Sequence, residues 1–291
     1  MDGIIIINKP IGCTSHDIVY KVKKIFNEKV GHTGTLDPLA EGVLPLLIGK
    51  GTLCSKYLMD HDKKYIATIK LGIKTDTADL EGKIIEKIEK VEDFEETKIK
   101  DILKSFIGIQ EQLPPIYSAI RVNGKKLYEY ARNNEKVEIK PRQINIYDIN
   151  LLKYDKKQDE ITFEVYCGKG TYIRSLCEDI AKRLGTIGCM IKLKRIEVGE
   201  FNIKDSISIE ELENNKENKV FLESKIILIE DVFKKYNSIV LNEKQIKPLL
   251  NGIKVEVNLE KDGVYKLYNN SNNFFGIGIV NNKQLKRDII I

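Results

Sequence analysis

The sequence reads as an α/β protein of the α+β type: a mixed, largely antiparallel sheet with flanking helices, followed by a small β-rich C-terminal domain. Three observations predict this. Strand-like runs recur as hairpins too frequent for a doubly wound parallel sheet. Amphipathic helical stretches fall between them. The last segment, Tyr236 to Ile291, holds only short β-prone runs separated by Asn and Gly turns. With 291 residues, 42% hydrophobic and 31% charged, the chain can bury one large core, or one large and one small, which excludes disorder and collagen-like repetition.

Gly3 to Asn8 reads as a short buried strand, broken by Lys9-Pro10. A helix follows, with Thr14 and Ser15 as caps and Ile18, Val19, Val22, Ile25 and Phe26 at helical spacing. Residues 30 to 52 carry five glycines, two prolines and a single base, which predicts a shaped loop ending in a buried strand, Leu44 to Ile48. Leu53 to Leu58 reads as helix, Tyr65 to Leu71 as strand and Thr75 to Gly82 as an acidic loop. Ile99, Ile102, Leu103, Phe106 and Ile107 form an amphipathic helix that Gly108 is expected to stop.

Strands are expected at Ile144 to Leu151 and Ile161 to Cys167, then a helix from Thr171 to Leu184 and an apolar strand within Thr186 to Val198. Glu210 to Lys219 is charged and polar, and an isoleucine and leucine stretch leads on from Val220. The boundary is placed at 233/234, with strands at Ser238 to Leu241, Lys254 to Leu259, Gly263 to Asn269 and Phe274 to Val280.

The net charge of +5 is too small to name a partner, but it is unevenly distributed. Residues 117 to 142 hold seven bases against three acids with three tyrosines interleaved, and residues 166 to 195 hold seven against two. Base-rich, tyrosine-bearing segments suit a phosphate backbone with stacked bases, although solvated helix faces have the same composition. The acidic N-terminus is unlike a signal peptide, and no apolar run reaches membrane-spanning length, so a cytoplasmic protein is expected. Five scattered cysteines and three unpaired histidines match neither a disulfide framework nor a zinc site.

Gly42 to Lys50 misses the phosphate-loop spacing, and Asp76, Asp79 and Glu81 miss that of a calcium loop. Asp37 stands out chemically: a carboxylate in a glycine-rich, base-poor loop can be a nucleophile or a general base. Asp-Pro is also a common turn starter, and spacing alone favours the turn. His32 taken alone reads as a structural hydrogen bonder.

Six strings resolve these alternatives: INKPIGCTSHDIV, VGHTGTLDPLAEGVLPLLIGKGT, KKYIATIKLGIKTDTADLEG, QLPPIYSAIRVNGKKLYEYAR, VYCGKGTYIRSLCEDIAKRLG and LKRIEVGEF. In this order, over roughly residues 7 to 201, they resemble the bacterial tRNA pseudouridine-55 synthases, the TruB family of pseudouridine synthases. The resemblance implies isomerisation of a T-loop uridine of tRNA to pseudouridine by a monomer without metal or organic cofactor. It divides the chain into a catalytic domain, 1–233, with an RNA-closing insertion at about 114–141, and a PUA-like RNA-binding domain, 234–291.

The resemblance also assigns roles. Asp37 matches the catalytic aspartate, Tyr65 the active-site tyrosine that stacks on the base and is a candidate for removing the C5 proton, and Arg174 the arginine paired with the aspartate. His32 matches the histidine that fills the gap left by the flipped base. Leu193 matches a pocket-lining position, Tyr172 is expected as a wall residue with core packing as the alternative, Asp79 is a second carboxylate for Arg174, and Lys9 belongs to a pocket-shaping motif. The chain departs from the family at Gly168, where serine is usual, at Ala181, where glycine is common, and in the KGTLCS segment; none of these is a residue with an implied chemical role. Two other classes stay in view. A tRNA-folding chaperone would gain nothing from a carboxylate facing RNA, and a base-removing hydrolase would need a second, water-activating carboxylate beside Asp37.

Overall fold

The computed structural model describes residues 1–291. Strand β1 (Gly3–Lys9) is the isoleucine run, and it is buried on both faces: Ile5 and Ile7 join the core beneath the helices, Ile4 and Ile6 a second core behind the sheet. Helix α1 (Ser15–Phe26) starts at a reciprocal cap in which the Thr14 hydroxyl accepts the Asp17 N–H and the Asp17 carboxylate accepts the Thr14 N–H. Strands β2 (Val30–His32) and β3 (Ala40–Ile48) flank the glycine-rich loop. The helix expected at Leu53 to Leu58 is a 3₁₀ segment, Gly49–Cys54, continued by α2 (Ser55–Leu58).

Strand β4 (Lys63–Leu71) is followed by a hairpin, β5 (Ile73–Thr75) and β6 (Ile84–Lys87), that frames the acidic loop. Helix α3 (Glu96–Lys104) ends before Gly108, so this glycine does not stop it as expected; at φ 106° it opens strand β7 (Gly108–Gln112). A ribbon of β8 (Arg121–Val122) and β9 (Lys125–Lys126) leads into α4 (Leu127–Arg132) within the insertion. Strands β10 (Arg142–Asp155) and β11 (Glu160–Cys167) form a long hairpin, and α5 (Ile173–Leu184) and β12 (Gly188–Val198) follow. Ala181 fits on α5 because its methyl meets Gly188, where a side chain would lie 2.8 Å from it. Short β13 (Phe201–Asn202) and β14 (Ile207–Ser208) precede three helices of four to six residues, α6 (Ile209–Asn214), α7 (Lys219–Ser224) and α8 (Ile229–Val232). Helices this short carry too little periodicity to be read from sequence.

The large sheet runs β14-β1-β3-β12-β4-β11-β10-β7, with β2 added to β3 and β13 to β12. Pairing is antiparallel except at β1/β14 and β3/β12, so the sheet is mixed and largely antiparallel, as expected. The parallel β3/β12 contact positions the site, because it sets Leu193 beside Ala40 and Arg195 beside Gly42, just past the loop that carries Asp37. Only glycine fits position 42: φ is 111°, and a Cβ would lie 2.1 Å from the Arg195 carbonyl oxygen.

The second sheet has the order β15 (Ser238–Leu241), β17 (Gly263–Asn269), β18 (Phe274–Asn281), β19 (Gln284–Ile290), β16 (Val255–Glu256). The β-rich expectation holds, with two differences in detail. Glu243–Leu250 is a helix, α9, opened by an Asn242/Gln245 capping box and disguised by Pro248. The final strand, β19, was not anticipated. Ile277 and Ile289 of this sheet meet Phe233, Ile229, Ile4, Ile6, Val43 and Leu47 in the core behind the large sheet. Asp288 adds polar ties to Lys56 and, at 2.6 Å, to the Tyr57 hydroxyl.

Phe233 is fully buried where the two sheets meet. Phe233→Ala is expected to destabilise the chain by about 3–5 kcal/mol, read from the urea midpoint; a loss under ~1 kcal/mol would show that this contact is not part of the cooperative core.

Candidate active site

The Asp37 loop is held from several sides. The Ser15 hydroxyl on α1 accepts the Leu36 N–H at 2.8 Å and donates to the Leu36 carbonyl at 3.0 Å, and the Gly12 N–H donates to the Pro38 carbonyl at 2.9 Å. Lys9, fully buried, closes the neighbouring turn by donating to the carbonyls of Pro10 and Cys13 at 2.9 and 2.7 Å. It sits behind the pocket, and its charge acts on Asp37 from there.

Arg174, in the first turn of α5, is 8% exposed. Its Nε lies 3.1 Å from the Asp37 carboxylate and its Nη1 3.6 Å from that of Asp79. Nη1 also donates to the Thr77 carbonyl and Nη2 to that of Tyr117, at 3.2 and 3.0 Å. Asp79 is buried and aimed by the Thr77 hydroxyl at 2.6 Å and the Glu81 N–H at 3.1 Å. One guanidinium therefore joins α5, the catalytic-type loop, the acidic loop and the start of the insertion.

Asp37, Tyr65, Tyr172, Arg174 and Leu193 converge on one cavity of about 460 Å³, completed by residues of the insertion, Tyr117, Ser118, Ala119 and Tyr128. Asp37 is its only lining acid. A cavity of equal volume, lined by Tyr57, His61, Phe201, Phe233 and Tyr236 among others, shares no lining residue with it. Burial pushes the Asp37 carboxyl above its ordinary range, Arg174 and Lys9 pull it back, and Asp79 opposes them. Burial likewise raises the Tyr65 phenol, with Arg195 the first opposing influence.

His32, on β2, stands outside this cavity, half-buried, with its Nδ1 accepting the Gly34 N–H at 3.4 Å. Burial, then the charges of Arg195 and His16, lower its pKa, which favours the neutral ring. Tyr172 caps α5, and its backbone is pinned by the Gln112 side chain through bonds of 2.8 and 3.0 Å. On the insertion, Tyr128 is flanked by Lys126 and Arg132, each 5.3 Å from its ring centre.

The charge count needs correction. Arg174 and Arg195 were among the seven bases of residues 166 to 195, yet both are buried and add nothing to a phosphate-binding surface. The insertion keeps its surface charge: Arg121, Arg132, Lys136 and Lys140 are exposed, as is Arg142 at the start of β10. Sequence reasoning missed Arg195, Tyr117 and Tyr128 as site residues. Arg195 had a readable signal, since it shares strand parity with Leu193, which reads as an inward position. Tyr117 and Tyr128 reach the pocket through the path of the insertion, which leaves no periodic trace.

The sequence matches three family models in succession: TruB family pseudouridylate synthase (N terminal domain) over residues 23–173, tRNA pseudouridylate synthase B C-terminal domain over 174–238, and Pseudouridine synthase II TruB, C-terminal, over 238–286. Curated relatives named tRNA pseudouridine synthase B include that of Caldanaerobacter subterraneus subsp. tengcongensis, 44% identical with 98% of both chains covered. That of Clostridium kluyveri is 42% identical over the same shares, and that of Staphylococcus aureus strain MSSA476 is 46% identical over 88% of this chain and 86% of its own. Among solved structures, a chain of a Cbf5-Nop10-Gar1 complex superposes with a TM-score of 0.69 at 24% identity, covering 96% of this chain and 78% of that one. A chain of an H/ACA RNP bound to a substrate RNA containing 2'-deoxyuridine gives 0.69 at 22%, covering 99% and 83%. At these identities the structures establish the shared fold, and the family rests on the sequence matches: the chain belongs to the TruB family of pseudouridylate synthases.

Proposed function

We propose that this protein isomerises uridine 55 in the T loop of tRNA to pseudouridine, acting as a monomer in the cytoplasm. The carrying observation is that Asp37, the only acid lining a cavity that Tyr65 also lines, is held by the Arg174 guanidinium. The target nucleotide leaves its stack at a cost of about a few kcal/mol. His32, flat and neutral, takes its place. Tyr65 and Leu193 hold the uracil, Asp37 assists cleavage of the glycosidic bond, and the base turns and rejoins through C5, whose proton Tyr65 removes. Residues 114–141 close over the RNA with their exposed bases, and residues 234–291 bind it farther from the site.

A base-removing hydrolase is disfavoured because Asp79 spends its carboxylate on Arg174, Thr77 and the Glu81 N–H, leaving no second acid at the cavity wall. A pure RNA binder is disfavoured by Asp37 itself, whose negative charge would repel an anionic ligand.

Tritium release from tRNA carrying 5-³H-uridine tests the reading. The wild type is expected to release tritium, and Asp37→Asn to lose at least about 10³-fold in rate while still binding tRNA. Wild-type protein that binds tRNA and releases none would sink the proposal.

The electrostatics give a pH prediction. Asp37 acts as the carboxylate, so activity falls as pH drops through its pKa, which burial has already raised. Arg174 holds that pKa down, so Arg174→Gln is expected to move the acid limb of the pH–rate profile to higher pH as well as lowering the rate. An acid limb at the same pH in both proteins would contradict this. For the exposed bases of the insertion, tRNA affinity is expected to fall steeply with salt, and Arg132→Ala to flatten that slope by about one counterion.

A further inference from the structure

Arg195 is a buried guanidinium without a carboxylate. It is 1% exposed and takes part in none of the molecule's ion pairs. Its donors go to carbonyls: Nε to Val43 at 2.8 Å, Nη2 to Gly34 at 3.0 Å and Nη1 to Thr35 at 3.4 Å. Arg174, by contrast, meets two carboxylates. Burying a charge without a partner is costly, and a fold keeps one more readily where it meets an opposite charge that forms during a reaction.

The strand register says where that charge forms. Arg195 stands directly opposite Tyr65 across the β12/β4 pair, which sets the two side chains on the same face with Cβ atoms about 5 Å apart. Burial, Cys167 and Asp37 all disfavour an ionised Tyr65, whereas Arg195 favours it. The other titratable groups that feel Arg195 are Lys9, His32 and Lys63, none of them an acid.

We propose that Arg195 is a positioning residue for Tyr65, the fixed counter-cation of the phenolate that takes the C5 proton. The inference rests on the reading of Tyr65 as the base. Tyr65 first loses its own proton to water. After the base has rejoined the ribose through C5, the C5–H bond breaks, the proton goes to the Tyr65 oxygen, the electron pair left behind restores the C5–C6 double bond as the C6–N1 double bond opens, and N1 takes up a proton from water. Arg195 needs no rearrangement in this step, since three carbonyls already hold its plane. A lysine keeps the charge without that three-way anchorage.

The test is single-turnover pseudouridine formation by the full-length chain on tRNA made with 5-¹H- or 5-²H-uridine, measured across pH. Arg195→Met is expected to slow the reaction about 10²-fold at neutral pH, to move the alkaline rise of rate that follows Tyr65 ionisation, separate from the acid limb set by Asp37, upward by about one unit, and to enlarge the isotope effect. Arg195→Lys should lie between it and the wild type. A slower Arg195→Met with an unmoved pH profile and an unchanged isotope effect would mean that Arg195 only holds the fold, and would overturn the proposal. In case Arg195→Met does not fold, 3-fluorotyrosine at position 65 makes the phenol more acidic in an otherwise native chain. The rise with pH should then shift downward, and an unmoved rise overturns the proposal equally. A wild type that forms no pseudouridine defeats the underlying functional reading, and an unmoved 3-fluorotyrosine profile defeats Tyr65 as the base; an active wild type with a null Arg195→Met result defeats the Arg195 inference alone.

Discussion

One guanidinium sets the geometry on which the candidate site depends. Arg174 is almost fully buried, and a charge in that position is tolerable only if its hydrogen bonds are answered. The answers come from three separate stretches of chain: Asp37, the acidic loop through the Asp79 carboxylate and the Thr77 carbonyl, and the Tyr117 carbonyl. Each partner is also constrained by its own surroundings, Asp79 by Thr77 and Glu81, the Asp37 loop by Ser15 and Gly12. The cavity wall is therefore assembled before any ligand arrives, which removes reorganisation from the cost of catalysis.

The two arginines of the site use opposite arrangements. Arg174 is balanced by carboxylates and serves to aim one of them. Arg195 is met only by carbonyls and leaves its charge unneutralised beside Tyr65. The pocket thus places a supported anion at Asp37 and an uncompensated cation behind Tyr65. The proposed reaction, in which one bond to a base is cleaved and a proton is later taken from the same base, has use for both.

The sheet explains why the second domain is not free to wander. Strands β1 and β3 are apolar on both faces, so helices cover one side and something else must cover the other. Phe233, Ile277 and Ile289 do so. The carboxylate of Asp288 locks the contact to Lys56 and Tyr57. The run of isoleucines at the start of the chain is the sequence trace of this arrangement, since a strand with one wet face would have alternated.

Much of this was legible in the residues. The long elements, from α1 to α5 and β12, follow their apolar periods closely, because a buried face leaves a repeating signature. Asp37, Tyr65 and Arg174 were legible through the family motifs, and the pocket gathers all three. The short helices after Ile207 and the helix around Pro248 were not legible, since a single turn has no period and its caps decide it. By itself the sequence determined the fold class, the family and the chemical types available to the site, because these depend on patterns local to the chain. Only the tertiary structure decided that Arg174 and Arg195 are interior charges and not surface bases, that the tyrosines of the insertion line the pocket, and that Tyr65 faces Arg195. Burial and cross-strand register arise from residues far apart along the chain, and no local pattern records them.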